Sequence, residues 1–125
     1  MLYENIIRPI LFRMDPESAH EKMAALLSVA ATVPLAPKIL SWACGKKTPG
    51  LETDVFGLKF PNPIGLAAGF DKDCRLAGIL PALGFGFLEA GSITLKPQPG
   101  NAKPRLFRFP EEHALINRMG FNSEG

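Results

Sequence analysis

Over the first fifty residues the apolar positions recur at helical spacing. In "LYENIIRPILFRM" (2–14), Leu2, Ile6, Ile10 and Leu11 share one face, and Pro9 should kink the helix. A second helix is predicted over "DPESAHEKMAALLSVAATV" (15–33). Asp15 can accept from the orphan amides, Pro16 suits the first helical position, and Glu17 lies at the positive end of the dipole. Pro34 should stop it. The front of this helix is polar, whereas Met23 to Val33 is apolar nearly all round except at Ser28 and Thr32, so something must cover it. A third short helix, "APKILSWACG" (36–45), ends at a glycine followed by Lys46 and Lys47.

The period then changes. Residues 51–60 alternate loosely around Gly57, as a hairpin would, and Pro61 and Pro63 bar a helix. Next come a short apolar strand, "PIGLAAG" (63–69), a helix over "DCRLAGILPALG" (73–84) that Pro81 and Gly84 disturb, and a strand, "GFLEAGSIT" (86–94). Strand, helix and strand over that length predict a parallel, right-handed βαβ unit. The proline-rich stretch 95–122 reads as a long loop, which Leu106, Phe107, Phe109, Leu115 and Ile116 should keep ordered.

Composition adds limits. With 125 residues, 46% hydrophobic, 21% charged and a net charge of +2, the chain reads as one modest globular domain rather than a disordered or nucleic-acid-binding sequence. Glycine and proline, 12 each, follow no period and mark turns. Cys44 and Cys74 have neither metal-ligand nor disulfide spacing, so reduced thiols in a cytosolic setting are expected. No run reaches the ~20 apolar residues of a membrane span. The first residues lack the pattern of a signal peptide, so neither secretion nor a transmembrane anchor is expected. "NRMGFNSEG" stops without a closing helix or strand, which suggests a truncated chain.

Candidate chemistry gathers in "GLAAGFDKD" (65–73). It is not a phosphate loop of the Walker type, because Lys72 follows Gly69 too closely and precedes Asp73 rather than a hydroxyl residue. In a βαβ unit, however, Phe70, Asp71 and Lys72 after the first strand and Gly91 and Ser92 at the end of the second face the same, ligand-binding edge. The small residues Gly65, Ala67, Ala68 and Gly69 either admit a large flat ligand or only permit tight helix–strand packing. Lys72 beside two acids is either a ligand contact or a solvated ion pair worth ~0 to 1 kcal/mol. "INRMGFN" (116–122) offers two asparagine amides and a glycine turn that could form an anion nest, or a plain turn. His20 and His113 read as surface histidines.

Taken together, "DPESAH", "NPIGLAAGFDKD" and "LGFGFLEAGSITLKPQPGNAKPRLFRFPEEHALINRMGFN" resemble the amino-terminal portion of the class 2, quinone-dependent dihydroorotate dehydrogenases, over effectively the whole chain. The resemblance implies an α/β fold: the start of an FMN-binding (β/α)8 TIM barrel over 46–125, preceded by a helical membrane and quinone-entrance domain over 1–45. It implies oxidation of dihydroorotate to orotate on FMN in pyrimidine biosynthesis, electrons passing to a quinone, with no metal. By motif, Ala68, Gly69, Phe70, Asp71 and Lys72 match the segment along FMN, and Ser92, where the family usually has threonine, matches the next flavin contact. Lys72 and the segment Asn117, Arg118, Met119, Gly120 and Phe121 match the substrate contacts, whereas His20 and Arg108 match positions bordering the quinone tunnel. Cys74 stands where the family usually has glycine. The serine that acts as base would lie beyond Gly125, so no catalytic residue is expected here, and a barrel alone takes ~250 residues. The fragment alone should be inactive. The same resemblance implies a peripheral membrane position, and the absence of a targeting peptide leans towards a bacterial source, hence the cytoplasmic face of the cell membrane. Alternatives are another FMN barrel oxidoreductase, of the soluble class 1 or dihydrouridine-reductase type, and a non-catalytic fragment binding lipid or quinone.

Overall fold

The computed structural model describes residues 3–45 and 49–125. Leu2, Lys46 and Lys47 lie outside them. In chain order, a π-helical turn (Tyr3–Ile7) runs into α1 (Arg8–Phe12), followed by α2 (Pro16–Ala31) and α3 (Ala36–Cys44). Then come β1 (Thr53–Val55), β2 (Leu58–Phe60), β3 (Gly65–Leu66), a 3-10 helix (Leu80–Leu83), β4 (Phe87–Leu88), β5 (Leu106–Phe109) and β6 (Ala114–Asn117). The fold class is α/β, with three two-stranded ladders among the described residues. Two compact units divide it, Met1–Leu26 with Thr94–Gly125, and Leu27–Ile93.

In the first unit, winding changes from π to α at Arg8, one residue before Pro9, whose missing amide leaves a carbonyl of the preceding turn without its helical donor. α2 begins as its sequence dictates: the Ser18 amide donates to Asp15 Oδ1 at 2.9 Å. That bond is the main reason the Asp15 carboxyl titrates below its ordinary range. The stretch expected as one long loop contains a hairpin. β5 and β6 pair antiparallel from Leu106↔Asn117 to Phe109↔Ala114, and His113 takes a left-handed φ of 51° in the turn. The turn residues Pro110 to His113 are polar or helix-breaking while both flanks are apolar, a pattern the surrounding prolines obscured.

In the second unit, β1 and β2 form the expected hairpin, with Phe56 (φ 53°) and Gly57 (φ 79°) both left-handed at its tip, as a tight turn of this hand requires. β3 and β4 pair in parallel, Gly65 opposite Phe87 and Leu66 opposite Leu88. A Cβ at Gly65 would run into the Phe87 ring, which would have to turn aside. That ring also meets Phe60 edge-on at 5.5 Å.

The helix expected over 73–84 is not formed. Its residues take successive turns that end in the 3-10 helix. Three features oppose continuous winding: Cys74 is left-handed (φ 56°), Gly78 carries the entropic cost of an interior glycine, and Pro81 disfavours α geometry just before it. The turns still bury Leu76, Ile79 and Leu80, the apolar core of this unit. α3 packs against the 3-10 helix. Among the described residues no helix is long and apolar enough to cross a membrane.

Candidate functional site

The parallel pair of the second unit brings two of the expected segments together. Beyond β3 and β4 the pairing continues through Glu89 N–H to Leu66 O (2.9 Å) and Gly69 N–H to Gly91 O (3.0 Å). The carboxyl ends of adjacent parallel strands therefore meet at Gly69 and Gly91, with Ala68 and Phe70 beside the first and Ser92 after the second. Gly69 and Gly91 are both left-handed, at φ 101° and 110°. Space above Gly69 is open, since nothing lies within 4 Å of where its Cβ would be, and Ala67, Ala68 and Ser92 are exposed. A flat, aromatic ring system fits such a shelf, because bare backbone and small side chains permit face-on approach and the Ser92 hydroxyl can donate or accept at its rim.

Asp71 has a local task. Its carboxylate accepts the amides of Arg75 (2.9 Å) and Leu76 (2.7 Å), which fixes the turn that carries Lys72. Lys72 is half-buried at this edge. Cys74 is left-handed, a conformation that suits the glycine expected there better than the cysteine present.

The segment 117–121 leaves β6 in the first unit. Gly120 takes φ 74°, and a Cβ there would press on Asn101 at 3.2 Å. Asn117 Oδ1 accepts the Met119 amide at 3.4 Å, leaving its side-chain amino group to donate elsewhere. The Arg118 guanidinium donates to Pro104 O (3.0 and 3.2 Å) and lies over the Phe107 ring. Asn117, Arg118, Gly120 and Phe121 are exposed and Met119 is half-buried. Arg108, also in this unit, donates to the carbonyls of Leu11 (3.2 Å) and Met14 (2.9 Å) and stacks 4.7 Å over Phe12, whose ring Arg8 approaches as well. His20 is half-buried on α2.

Sequence reasoning missed what holds the 117–121 segment. Arg105 is buried, and its Nε and Nη2 donate to the buried Glu17 carboxylate at 2.7 to 3.3 Å. Its Nη1 donates to Pro99 O (2.6 Å) and Asn101 O (3.0 Å), and its carbonyl accepts the Arg118 amide (2.8 Å). Lys103 bridges Glu17 and Glu21. The Arg105 guanidinium holds the Glu17 carboxyl below its usual range, against the opposing effect of burial, and Glu17 in turn raises Arg105. Glu17 and Arg105 are 88 positions apart, so no local period could have joined them.

A family model described as dihydroorotate dehydrogenase matches residues 50–125, more than half of the chain. The dihydroorotate dehydrogenase (quinone) of Methylococcus capsulatus is 55% identical over 126 residues, covering 100% of this chain and 35% of its own length. That of Christiangramia forsetii is 53% identical over 124 residues, covering 99% and 36%. A crystal structure of DHODH from Eimeria tenella in complex with ferulenol superposes with a TM-score of 0.61 at 46% identity, over 73% of this chain and 27% of that one. The chain thus spans about a third of the length of these curated relatives. On the match over residues 50–125, the chain belongs to the dihydroorotate dehydrogenase family.

Proposed function

We propose that the full-length protein oxidises dihydroorotate to orotate on FMN and passes the electrons to a quinone, and that residues 46–125 are the first part of a (β/α)8 barrel. The observation that carries this reading is the junction of Gly69 and Gly91 at the carboxyl ends of two parallel strands, the edge at which barrels of this kind bind ligands. About half of the chain's residues are identical to those of relatives named as quinone-dependent dihydroorotate dehydrogenases, which supports the choice of substrate and acceptor.

FMN, when bound, accepts the hydride that leaves the substrate. In this reading Ala68, Gly69, Phe70 and Ser92 line the ring, while Asp71 holds the turn that aims Lys72. Lys72 faces the dihydroorotate carboxylate and supplies a positive charge that a small anion needs. The Asn117 amide pairs with the ring imide, a planar array of donors and acceptors, and the backbone amides at the Gly120 turn meet the remaining charge. These groups bind and orient. The proton is taken by a base outside this stretch, and Arg108 and His20 border the path of the quinone. The amino-terminal helices make a peripheral contact with the cytoplasmic face of the membrane.

Lys72→Ala in the full-length protein tests the assignment. Losing a charge-assisted contact worth ~1.5 to 3 kcal/mol should weaken dihydroorotate binding roughly ten- to a hundredfold. Unchanged kinetic constants together with a lower melting temperature would make Lys72 a structural ion-pair partner and remove it from the site.

A further inference from the structure

We propose that Glu17 and Arg105 are positioning residues for dihydroorotate binding: the buried pair fixes the 99–101 turn, and that turn fixes the backbone of the 117–121 segment. The inference rests on the reading of 117–121 as the substrate segment. A buried ion pair is weak evidence of stabilisation, because apolar residues of the same volume commonly do as well. This pair has a further consequence. With Nε and Nη2 engaged by Glu17, the remaining edge of the guanidinium is directed at the carbonyls of Pro99 and Asn101. Between those carbonyls sits Gly100, left-handed at φ 73°, where a Cβ would collide with Met119 O and crowd Arg105 Nη1.

Asn101 then couples the two turns twice. Its backbone amide donates to Met119 O at 3.0 Å and its side-chain amide to Arg118 O at 2.7 Å. The bridge between Gln98 and Ser123, bonded in both directions, closes the far end. A carboxylate on α2 thereby sets where the amides around Gly120 stand. Loss of its charge frees the guanidinium to move and lets the 99–101 turn shift, and misplacement of a binding group by about 1 Å can cost up to ~100-fold.

The test uses three variants of the full-length, flavin-loaded protein. Glu17→Gln keeps size and an acceptor oxygen but removes the charge, Asn101→Ala removes the side-chain half of the coupling, the bond to Arg118 O, at an exposed position while keeping the backbone bond to Met119 O, and Asn117→Ala probes the segment itself. Glu17→Gln and Asn101→Ala should each raise the KM for dihydroorotate and weaken equilibrium binding of orotate by roughly tenfold. The kcat should change far less, and flavin content and the KM for quinone should not move. The double variant should be no worse than the poorer single one, because both act along one set of contacts. A lower melting temperature with unchanged KM and orotate affinity would reduce the pair to a structural role and overturn the proposal, as would additive effects in the double variant. If Glu17→Gln does not fold, Asn101→Ala decides alone: an unchanged KM overturns the coupling. Should Asn117→Ala leave orotate binding intact, the substrate reading of the segment itself falls. A defect in Asn117→Ala without one in the other two variants removes only the present inference.

Discussion

A glutamate in the first turn of a helix already capped by Asp15 has no local need of a partner, yet Glu17 is 5% exposed and bonded to Arg105. Its sequence context disclosed only the helix dipole, because periodicity reports on neighbours within a turn or two and this partner arrives from a hairpin far along the chain. Energetically the pair is asymmetric. Forming it returns little net stability, but removing one member strands a buried charge, so Glu17→Ala should destabilise the protein by about 3 to 5 kcal/mol in urea denaturation at neutral pH. Acid should act on the same group. The unfolded chain takes up a proton at the ordinary glutamate value of 4.5, whereas the folded chain resists until lower pH, so the contribution is complete above that value and is lost as the pH falls below it. Asp15, held below its ordinary 3.8, adds in the same direction further down. Glu17→Gln should lose visibly less stability than the parent as the pH falls through and below 4.5, the window Glu17 sets, while Asp15 contributes equally in both proteins. An identical acid profile for the two proteins would place the titrating groups elsewhere.

Elements were legible wherever a pattern was long and uninterrupted. The cap and proline signals of α2, the Phe56–Gly57 tip of the first hairpin and the parallel order of β3 and β4 all follow from local rules. Failures came where apolar spacing met punctuation. Residues 73–84 carry Leu76, Ile79 and Leu80 at helical intervals and do bury them, but the backbone reaches that burial through turns anchored on Asp71. Spacing specified which side chains go inward, while Cys74, Gly78 and Pro81 decided the winding. The same logic yields a stability test. Cys74 bears the steric cost of a left-handed conformation at φ 56°, about 1 to 2 kcal/mol, and glycine would relieve it at the expense of a looser unfolded chain. Cys74→Gly should therefore be neutral or stabilising by up to about 1 kcal/mol, whereas the β-branched Cys74→Val should destabilise by at least ~1 kcal/mol. A valine variant as stable as the parent in thermal melts would show that the turn adopts another conformation in solution.

For the molecule as a whole, the association of residues 1–26 with 94–125 was not visible in the sequence, because it rests on a few long-range side-chain contacts such as Arg108 to the Leu11 and Met14 carbonyls and Arg105 to Glu17. The apolar excess of the second and third helices was visible, and the structure leaves much of it bare in the second unit: Val29 is 65% exposed, Ile39 63% and Trp42 87%. α3 also carries Lys38, exposed beside these side chains. An amphipathic surface of aromatic, aliphatic and basic residues suits the boundary between lipid headgroups and acyl chains, which is the basis for proposing that the helices touch a membrane. If so, replacing Ile39 with Asp and Trp42 with Ser in the full-length protein removes two anchors worth up to ~2 to 3 kcal/mol each when fully buried. Partition onto anionic vesicles should fall roughly a hundredfold or more, and Lys38→Glu should weaken it further in a manner that salt suppresses. Because these side chains contribute little to the core, orotate affinity and melting temperature should stay close to the parent values. The opposite pattern, vesicle binding retained while the melting temperature drops, would assign this face to a protein neighbour that covers it in the complete chain.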